Sequence, residues 1–207
     1  GASAVEDKIF EVKEIPKKSD VEFVISVDMS GSMYGEGIKQ TFKGVVLLSE
    51  VLNKLGIKFS VDGFYSADRN HGGTDVVKEY KGSDETLTDA VRAKMLKILD
   101  LGIGNPTALA IEQANKRLST STAKNKFILI LTDGGEDRER ELTAAVDKTI
   151  RETDHNIVGV GLGEYMSAVT RLFPASIAKI PFEDVPDVLA SLLRDIIENP
   201  QKYKTNS

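Results

Sequence analysis

The sequence predicts an α/β protein with a single doubly wound, mostly parallel sheet and helices on both faces. β-rich apolar segments alternate along the chain with segments of helical periodicity, which is typical of parallel sheets with crossover helices. The run 127–131 (FILIL) is apolar throughout, as expected for a strand buried on both faces. No repeat or linker divides the body, so one domain is expected at 21–198, between a tail or edge segment at 1–20 and a polar tail at 199–207.

Each element is expected from its own pattern. Apolar and β-branched residues are concentrated in six segments that are expected to be strands: 21–28, 57–65, 76–80, 127–131, 156–162 and 177–180. One of these strands is expected to be a short antiparallel strand at the edge of the sheet. Apolar residues recur every three or four positions in five segments that are expected to be helices: 38–55, 86–100, 106–118, 139–152 and 183–198. Gly56 ends the first helix, and Pro106 stands in the first turn of the third.

The composition excludes several classes of function. The 207 residues contain 27 Lys+Arg, 32 Asp+Glu and no cysteine, with a formal net charge of −5. Without cysteine there is no disulfide framework, thiolate metal site or cysteine nucleophile. The sequence pI near 5.2 argues against a nucleic-acid partner, because phosphate binding needs clustered Lys and Arg. No apolar run approaches the roughly 20 residues that cross a bilayer, so no membrane insertion is expected.

Three short polar segments are expected at the sheet edge where the parallel strands end. They are 28–32 (DMSGS), 104–107 (GNPT) and 132–135 (TDGG). The first and the third directly follow strands, and the second begins a helix. Ligands of open α/β sheets bind at the carboxyl ends of the strands. The sequence therefore predicts that these segments converge on one site.

The candidate ligand atoms in these segments are all oxygens. They belong to two carboxylates and three hydroxyls: Asp28, Ser30, Ser32, Thr107 and Asp133. Such a set suits Mg²⁺ or Mn²⁺ and does not suit Zn²⁺ or Cu²⁺. Two carboxylates balance the charge of one divalent ion, so the ion can still attract an acidic group from outside. The alternative is structural: the two aspartates accept backbone hydrogen bonds in turns, and Thr107 only begins a helix.

These segments resemble the metal-ion-dependent adhesion site (MIDAS) of von Willebrand factor A (VWA) domains. The motif of that family is D-x-S-x-S, a distant Thr and an Asp in T-D-G, and the five candidate ligands match it residue by residue. The resemblance covers roughly residues 21–198. It implies a VWA fold with an intact MIDAS, in which Ser30 and Ser32 bind the metal directly and a Glu or Asp of a protein partner completes the shell.

Residues beside this constellation are expected to form a rim that contacts the partner. They are Met29, Tyr34, Tyr65, Asn105 and Glu136. Two positions depart from the family pattern: Met29 stands where Thr, Asn or Ser is more usual, and Asn-Pro precedes Thr107 where Gly is common. Neither departure removes an oxygen ligand.

Three functions are compatible with the sequence. The first is a non-enzymatic, metal-dependent protein-binding module. The second, implied by the resemblance to intracellular prokaryotic A domains, is a non-catalytic subunit or domain of an AAA+ ATPase machine of the MoxR-associated or metal-chelatase type. The chain has no Walker motif, so that ATPase would be another chain. The absence of cysteine and of a signal-peptide pattern favours a cytoplasmic location.

The third function is a Mg²⁺-dependent hydrolase, for which the sequence offers less. Ser30 stands where hydrolases of the haloacid dehalogenase type carry the aspartate that acts as acid and base. A serine-triad enzyme needs a histidine close to Ser30 or Ser32, and neither His71 nor His155 is expected there.

Overall fold

A six-stranded sheet forms the centre of this computed structural model, which describes residues 20–67, 73–133, 138–164 and 167–205. Its strands are β1 (Val21–Asp28), β2 (Lys58–Ala67), β3 (Thr74–Lys81), β4 (Asn125–Thr132), β5 (Asn156–Leu162) and β6 (Ala175–Ile180). They are ordered β3-β2-β1-β4-β5-β6. All neighbouring strands are parallel except β3, which runs antiparallel to β2 at one edge. The predicted fold class is confirmed.

Helices cover both faces of the sheet. They are α1 (Glu36–Leu55), α2 (Asp89–Met95), α3 (Thr107–Leu118), α4 (Glu139–Glu152), α5 (Val169–Leu172) and α6 (Val185–Glu198). Helices α1, α2 and α6 bury their apolar residues in the core of one face, and α3, α4 and α5 in the core of the other. No helix of the described residues is both long and apolar enough to cross a membrane.

β1 lies in the middle of the sheet, and all eight of its residues are buried. Because successive side chains of a strand point to opposite faces, Phe23 and Ile25 pack toward α1 and α6 while Val24 packs toward α3. The ring of Phe23 stacks on that of Phe127 in β4, with 5.8 Å between the ring centroids. This double-sided burial explains why the segment is apolar almost throughout, and it holds the end of β1 rigidly in place.

Three segments differ from the sequence prediction. The expected helix at 86–100 begins only after Thr88, whose hydroxyl accepts a hydrogen bond from the backbone of Val91, and it tightens into a 3₁₀ turn at Leu96–Leu99. Helix α5 was not predicted, because one turn shows no periodicity. In the segment predicted only as a polar tail, Pro200–Tyr203 form a 3₁₀ turn, and the Thr205 hydroxyl accepts a hydrogen bond from the backbone of Ile157.

The edge strand β6 is irregular. Its register with β5 shifts between Val160 and Leu162, and Lys179 has a positive φ of 56°. Positive φ in a residue with a side chain marks local backbone strain, which an irregular strand end tolerates. Pro181 follows directly and ends the strand.

Candidate functional site

Asp28 lies at the carboxyl end of β1, and its side chain is fully buried. Its Oδ1 accepts a hydrogen bond from the backbone N–H of Ser30 (2.8 Å), and its Oδ2 accepts one from the hydroxyl of Thr132 (2.7 Å). Burial raises the pKa of Asp28 from 3.8 to about 6, although these hydrogen bonds act in the opposite direction. Asp28 is thus a carboxylate held in one orientation, away from water, by the neighbouring strand.

A row of hydrogen bonds joins the loop after β1 to the end of β4. The hydroxyl of Ser32 donates to Asp133 Oδ1 (2.9 Å), and the Ser30 and Ser32 hydroxyl oxygens are 3.0 Å apart. The Ser32 hydroxyl thus lies between Ser30 and Asp133. Burial raises the pKa of Asp133, and the Ser32 hydrogen bond opposes the increase. Four of the five predicted ligands therefore lie side by side at the carboxyl edge.

Thr107, the fifth predicted ligand, is the first residue of α3 and is buried. Its backbone N–H donates to the carbonyl of Asn105 (2.8 Å). The loop that precedes α3 is attached to the loop after β1, because the N–H of Gly102 donates to the carbonyl of Met29 (2.8 Å). The loop after β1 and the loop that precedes α3 are thus joined, and Thr107 begins the helix that follows this second loop.

The rim residues have different environments. Tyr34 is 85% exposed and lies in the loop after β1, next to the site. Tyr65 is half-buried against Gly102, where a β-carbon would come within 2.4 Å of the Tyr65 ring. Asn105 is only 6% exposed and therefore offers little surface to a partner. Glu136 lies outside the described residues.

The interpretation of Met29 as a rim residue is wrong. Its side chain is 1% exposed and packs beneath the site, where its sulfur accepts a hydrogen bond from the hydroxyl of Tyr80 (3.3 Å). Gly63 of β2 makes room for it, since a β-carbon at Gly63 would lie 2.3 Å from the Met29 sulfur. A larger residue at position 63 would therefore displace Met29 and the loop that carries Ser30 and Ser32.

Sequence reasoning missed two features around the site. The first is Thr132, whose hydroxyl orients Asp28. Thr132 belongs to the T-D-G pattern, but only the pairing of β1 with β4 shows that its hydroxyl contacts the carboxylate of Asp28. Arg138, at the start of α4, forms two hydrogen bonds with Asp75 of β3 (2.8 and 3.0 Å), and Asp75 also accepts one from Ser66 (2.8 Å). No local pattern could have paired residues so far apart in the sequence.

The donor set fits a hard divalent cation. Its oxygens come from two carboxylates and from hydroxyls, and no lysine or arginine of the described residues forms an ion pair with Asp28 or Asp133. Buried carboxylates are stable in the charged form only with compensating positive charge or hydrogen bonds. The described residues contain no group of three or more His, Cys, Asp or Glu that could hold a metal, so any ion here would depend on hydroxyl ligands as well.

His155 does not serve this site. It lies just before β5, at the opposite end of the sheet, and its Nδ1 is 2.9 Å from Asn115 Oδ1. Burial lowers the pKa of His155, which favours its neutral form. His71 lies outside the described residues. Within the part of the chain that the structure describes, Ser30 and Ser32 therefore have no histidine to activate them.

No family model and no curated protein matches the chain. Solved structures do match it. The pilus adhesin SpaC from Lactobacillus rhamnosus GG has 17% identity and a TM-score of 0.62, with 86% of this chain and 30% of that chain covered. A von Willebrand factor type A protein from Catenulispora acidiphila has 18% identity and a TM-score of 0.62, with 86% of this chain and 43% of that chain covered.

The vWF domain of the type V pili tip protein Mfa5 from Porphyromonas gingivalis is similar over nearly its whole length. It has 14% identity and a TM-score of 0.58, with 91% of this chain and 96% of that chain covered. This chain spans less than half the length of the SpaC and Catenulispora chains. The likeness shows that the chain has a von Willebrand factor A-like fold.

Proposed function

We propose that this chain is a metal-dependent protein-binding module. Asp28, Ser30, Ser32, Thr107 and Asp133 hold Mg²⁺ or Mn²⁺, and the ion binds a Glu or Asp side chain of a protein partner. The observation that carries the proposal is the row of oxygen ligands at the carboxyl edge of the sheet, in which Ser32 bridges Ser30 and Asp133.

Each residue of the site has a part in this function. Thr132 fixes the orientation of Asp28, so that carboxylate is prepared before any ion arrives. Ser30 and Ser32 add oxygen ligands without adding negative charge. When bound, the ion supplies the positive charge that attracts a carboxylate from the partner. Tyr34, exposed beside the row, gives the partner an aromatic surface to contact.

Metal binding is tested by titrating the protein with Mg²⁺ in a calorimeter. We expect Asp133→Ala and Ser30→Ala to abolish the binding signal while circular dichroism shows an unchanged fold. Asp84→Ala is the matched control, because Asp84 is an exposed carboxylate that pairs with Lys58 away from the site. Equal Mg²⁺ affinity in wild type and both site variants would rule out the assignment.

Partner binding is tested by affinity capture in Mg²⁺ and in EDTA, with wild type and Asp133→Ala as baits. We expect the wild-type bait to retain its partner in Mg²⁺ and to lose it in EDTA, and Asp133→Ala to retain no partner in either condition. Substitution of one acidic residue of the partner should also abolish its capture by the wild-type bait. Retention that is the same in EDTA would contradict the metal-dependent mode. The AAA+ ATPase partner, the cytoplasmic location and the lack of enzymatic activity stay predictions, and this experiment also tests the first of them.

An adhesive module within a larger protein is a second candidate. The names of the neighbours favour it, since they include a pilus adhesin, a minor pilin and a pili tip protein. Capture of an ATPase would favour the machine subunit, whereas capture of a surface or matrix protein would favour adhesion. A Mg²⁺-dependent hydrolase would instead cleave generic phosphate or ester substrates and would lose this activity in Asp28→Asn.

A further inference from the structure

Helix α3 carries the candidate ligand Thr107 at its first position and a charged residue, Arg117, near its other end. The Arg117 side chain forms an ion pair with Asp62 of β2. The side chain of Asp62 is fully buried, and that of Arg117 is 19% exposed. A second nitrogen of the same guanidinium lies 3.4 Å from the carboxylate of Glu79 in β3. Arg117 therefore links α3 to two neighbouring strands of the sheet.

The ion pair lies on the face of the sheet that also carries the Asp28 side chain. Asp62 is in register with Ser26 of β1, two residues before Asp28. Residues two apart in a strand point to the same face. Val24 and Phe64 belong to this face by the same alternation, and both pack in the core cluster that contains the apolar residues of α3. Helix α3 thus covers Asp62 and the end of β1 from one side.

The apolar contacts of α3 restrict its position along the sheet less than this ion pair does. The buried apolar residues of the helix are Ala110, Ile111, Ala114 and Leu118. Apolar contacts are not directional, whereas a guanidinium and a carboxylate require a particular distance and orientation. Asn115 also donates a hydrogen bond to Thr149 (2.8 Å), which ties α3 to the neighbouring helix α4. Arg117 is therefore the residue that sets the position of α3 against β2 and β3.

Stability alone is a weak reason for a buried ion pair at this place. Apolar residues of similar volume in place of such a pair often leave the free energy of unfolding unchanged or raise it. What the pair adds is a single defined geometry. Thr107 precedes Arg117 by ten residues, about 15 Å along the axis of a rigid helix. A shift of Arg117 along this axis would therefore move Thr107 by the same amount.

We propose that Arg117 and Asp62 are positioning residues for the candidate metal site. Their ion pair fixes α3 over the sheet and thereby places the Thr107 hydroxyl for the ion, although neither residue is itself a ligand. The part of this inference that concerns Mg²⁺ rests on the proposed function. The fixing of α3 is a property of the protein without metal, and it can be measured separately.

The test replaces the ion pair by apolar residues, Asp62→Leu with Arg117→Met, which leaves the net charge unchanged. Because the chain has no cysteine, spin labels can be attached at Glu112→Cys on α3 and Lys54→Cys on α1, both exposed. Electron–electron double resonance then measures the distance between the labels without metal. We expect one narrow distribution with the ion pair and a shifted or broader one without it. Urea unfolding checks that the apolar pair is as stable as the wild type.

Calorimetric titration with Mg²⁺ measures the consequence for the site. We expect the apolar pair to lower the affinity roughly 10–100-fold, as the loss of groups that orient metal ligands does. A purely structural role of the ion pair would leave the affinity of the folded variant unchanged. The matched control is Lys148→Met with Glu152→Leu, which removes one exposed charge of each sign from α4. It should change neither the distance distribution nor the affinity.

Two results would overturn the proposal: a distance distribution identical to that of the wild type, or an unchanged Mg²⁺ affinity in the apolar pair. If the wild type itself binds no Mg²⁺, the proposed function fails, and the distance distribution still decides whether the ion pair fixes α3. Arg117→Lys serves if the apolar pair does not fold. A lysine keeps the charge but has no planar fork to reach both Asp62 and Glu79, so the distribution should again broaden and the affinity fall.

Discussion

Thr132 is the residue on which the orientation of Asp28 depends. If the site holds Mg²⁺, Thr132→Val removes the hydrogen bond to Asp28 Oδ2 while keeping the shape of the side chain. Groups that orient metal ligands contribute roughly 10–100-fold to metal affinity, so we expect a decrease of that size. Calorimetric titration with Mg²⁺ measures it.

The control for this variant is Thr170→Val, which removes a hydroxyl that donates to the carbonyl of Ser167, just before α5. We expect it to bind Mg²⁺ like the wild type. If Thr132→Val also retains wild-type affinity, the contact between Thr132 and Asp28 has no role in metal binding.

Asp62 of β2 is a second fully buried carboxylate, and it is paired with Arg117 of α3. Its other oxygen, Oδ2, has no hydrogen-bond partner among the described residues. Burial raises the pKa of Asp62 from 3.8 to about 6, and the Arg117 charge limits the increase. Since the pKa is higher in the folded state, the stabilising contribution of Asp62 is fully present below pH 3.8 and is lost as the pH rises through 6.

Arg117→Ala should therefore destabilise the protein in a pH-dependent way. At pH 8 the charged Asp62 loses its partner, and we expect the free energy of unfolding to fall by about 3–5 kcal/mol. At pH 5 Asp62 is mostly protonated in the folded protein, so the decrease should be much smaller. Urea unfolding at the two pH values measures both quantities.

Lys58→Ala provides the comparison for this pH series, because it removes an exposed ion pair with Asp84. We expect its effect to be small and equal at pH 5 and pH 8. A loss in Arg117→Ala that is the same at both pH values would contradict the assignment of the pH dependence to Asp62.

At the scale of elements, β5 and the chain after α5 approach each other at Gly159. A β-carbon at Gly159 would lie 2.4, 2.7 and 3.1 Å from three atoms of Phe173. Gly159→Ala should therefore lower the free energy of unfolding by about 1–3 kcal/mol, as overpacked cores do. Urea unfolding measures the loss, and Phe173→Leu in the same chain should restore part of it. If the losses of unfolding free energy in the two single variants simply add in the double variant, a clash between position 159 and Phe173 is not the cause of the loss.

The ion pair between Arg138 and Asp75 ties the start of α4 to the edge strand β3, close to the candidate site. Arg138→Ala removes this connection at the start of α4, and we expect it to weaken Mg²⁺ binding by at most roughly 10-fold, the lower end for groups that orient metal ligands. Both side chains are about one-third exposed, so the free energy of unfolding should fall by less than about 1 kcal/mol. Calorimetry and urea unfolding measure the two effects separately.

Arg171→Ala is a matched control, since Arg171 forms a similar pair with Glu139 in the first turn of α4. It should leave Mg²⁺ affinity unchanged. Equal effects of the two arginine variants would mean that the pair with Asp75 has no special influence on the site.

Elements with a strong local pattern could be predicted from the sequence, and contacts between elements could not. Helix α4 and strand β5 have the expected boundaries, because their apolar spacing is regular along their whole length. Met29 was placed on the surface because it lies in a polar loop, but the space above Gly63 exists only once β1 and β2 are paired. The approach of the polar segment after β1 to the one after β4 was predictable because parallel strands end at one edge.

For the whole molecule, metal binding should be linked to stability. If the folded chain alone binds Mg²⁺, a concentration 100 times the dissociation constant raises the free energy of unfolding by about 2.7 kcal/mol. A divalent ion would also change the formal net charge from −5 to −3. Thermal unfolding in Mg²⁺ and in EDTA measures the gain, which should be absent in Asp133→Ala; a gain of the same size in that variant would place the ion elsewhere.

The two edges of the sheet restrict how a partner can approach. β6 is broken by the register shift and by the left-handed backbone of Lys179, and β3 carries the charged residues Asp75, Lys78 and Glu79. Edges of this kind are poor templates for an added strand, because strand addition needs a regular ladder of free backbone groups. Recognition at the carboxyl edge would therefore occur through side chains and a bound ion, so a folded partner with a single well-placed carboxylate could bind without unfolding any of its own strands.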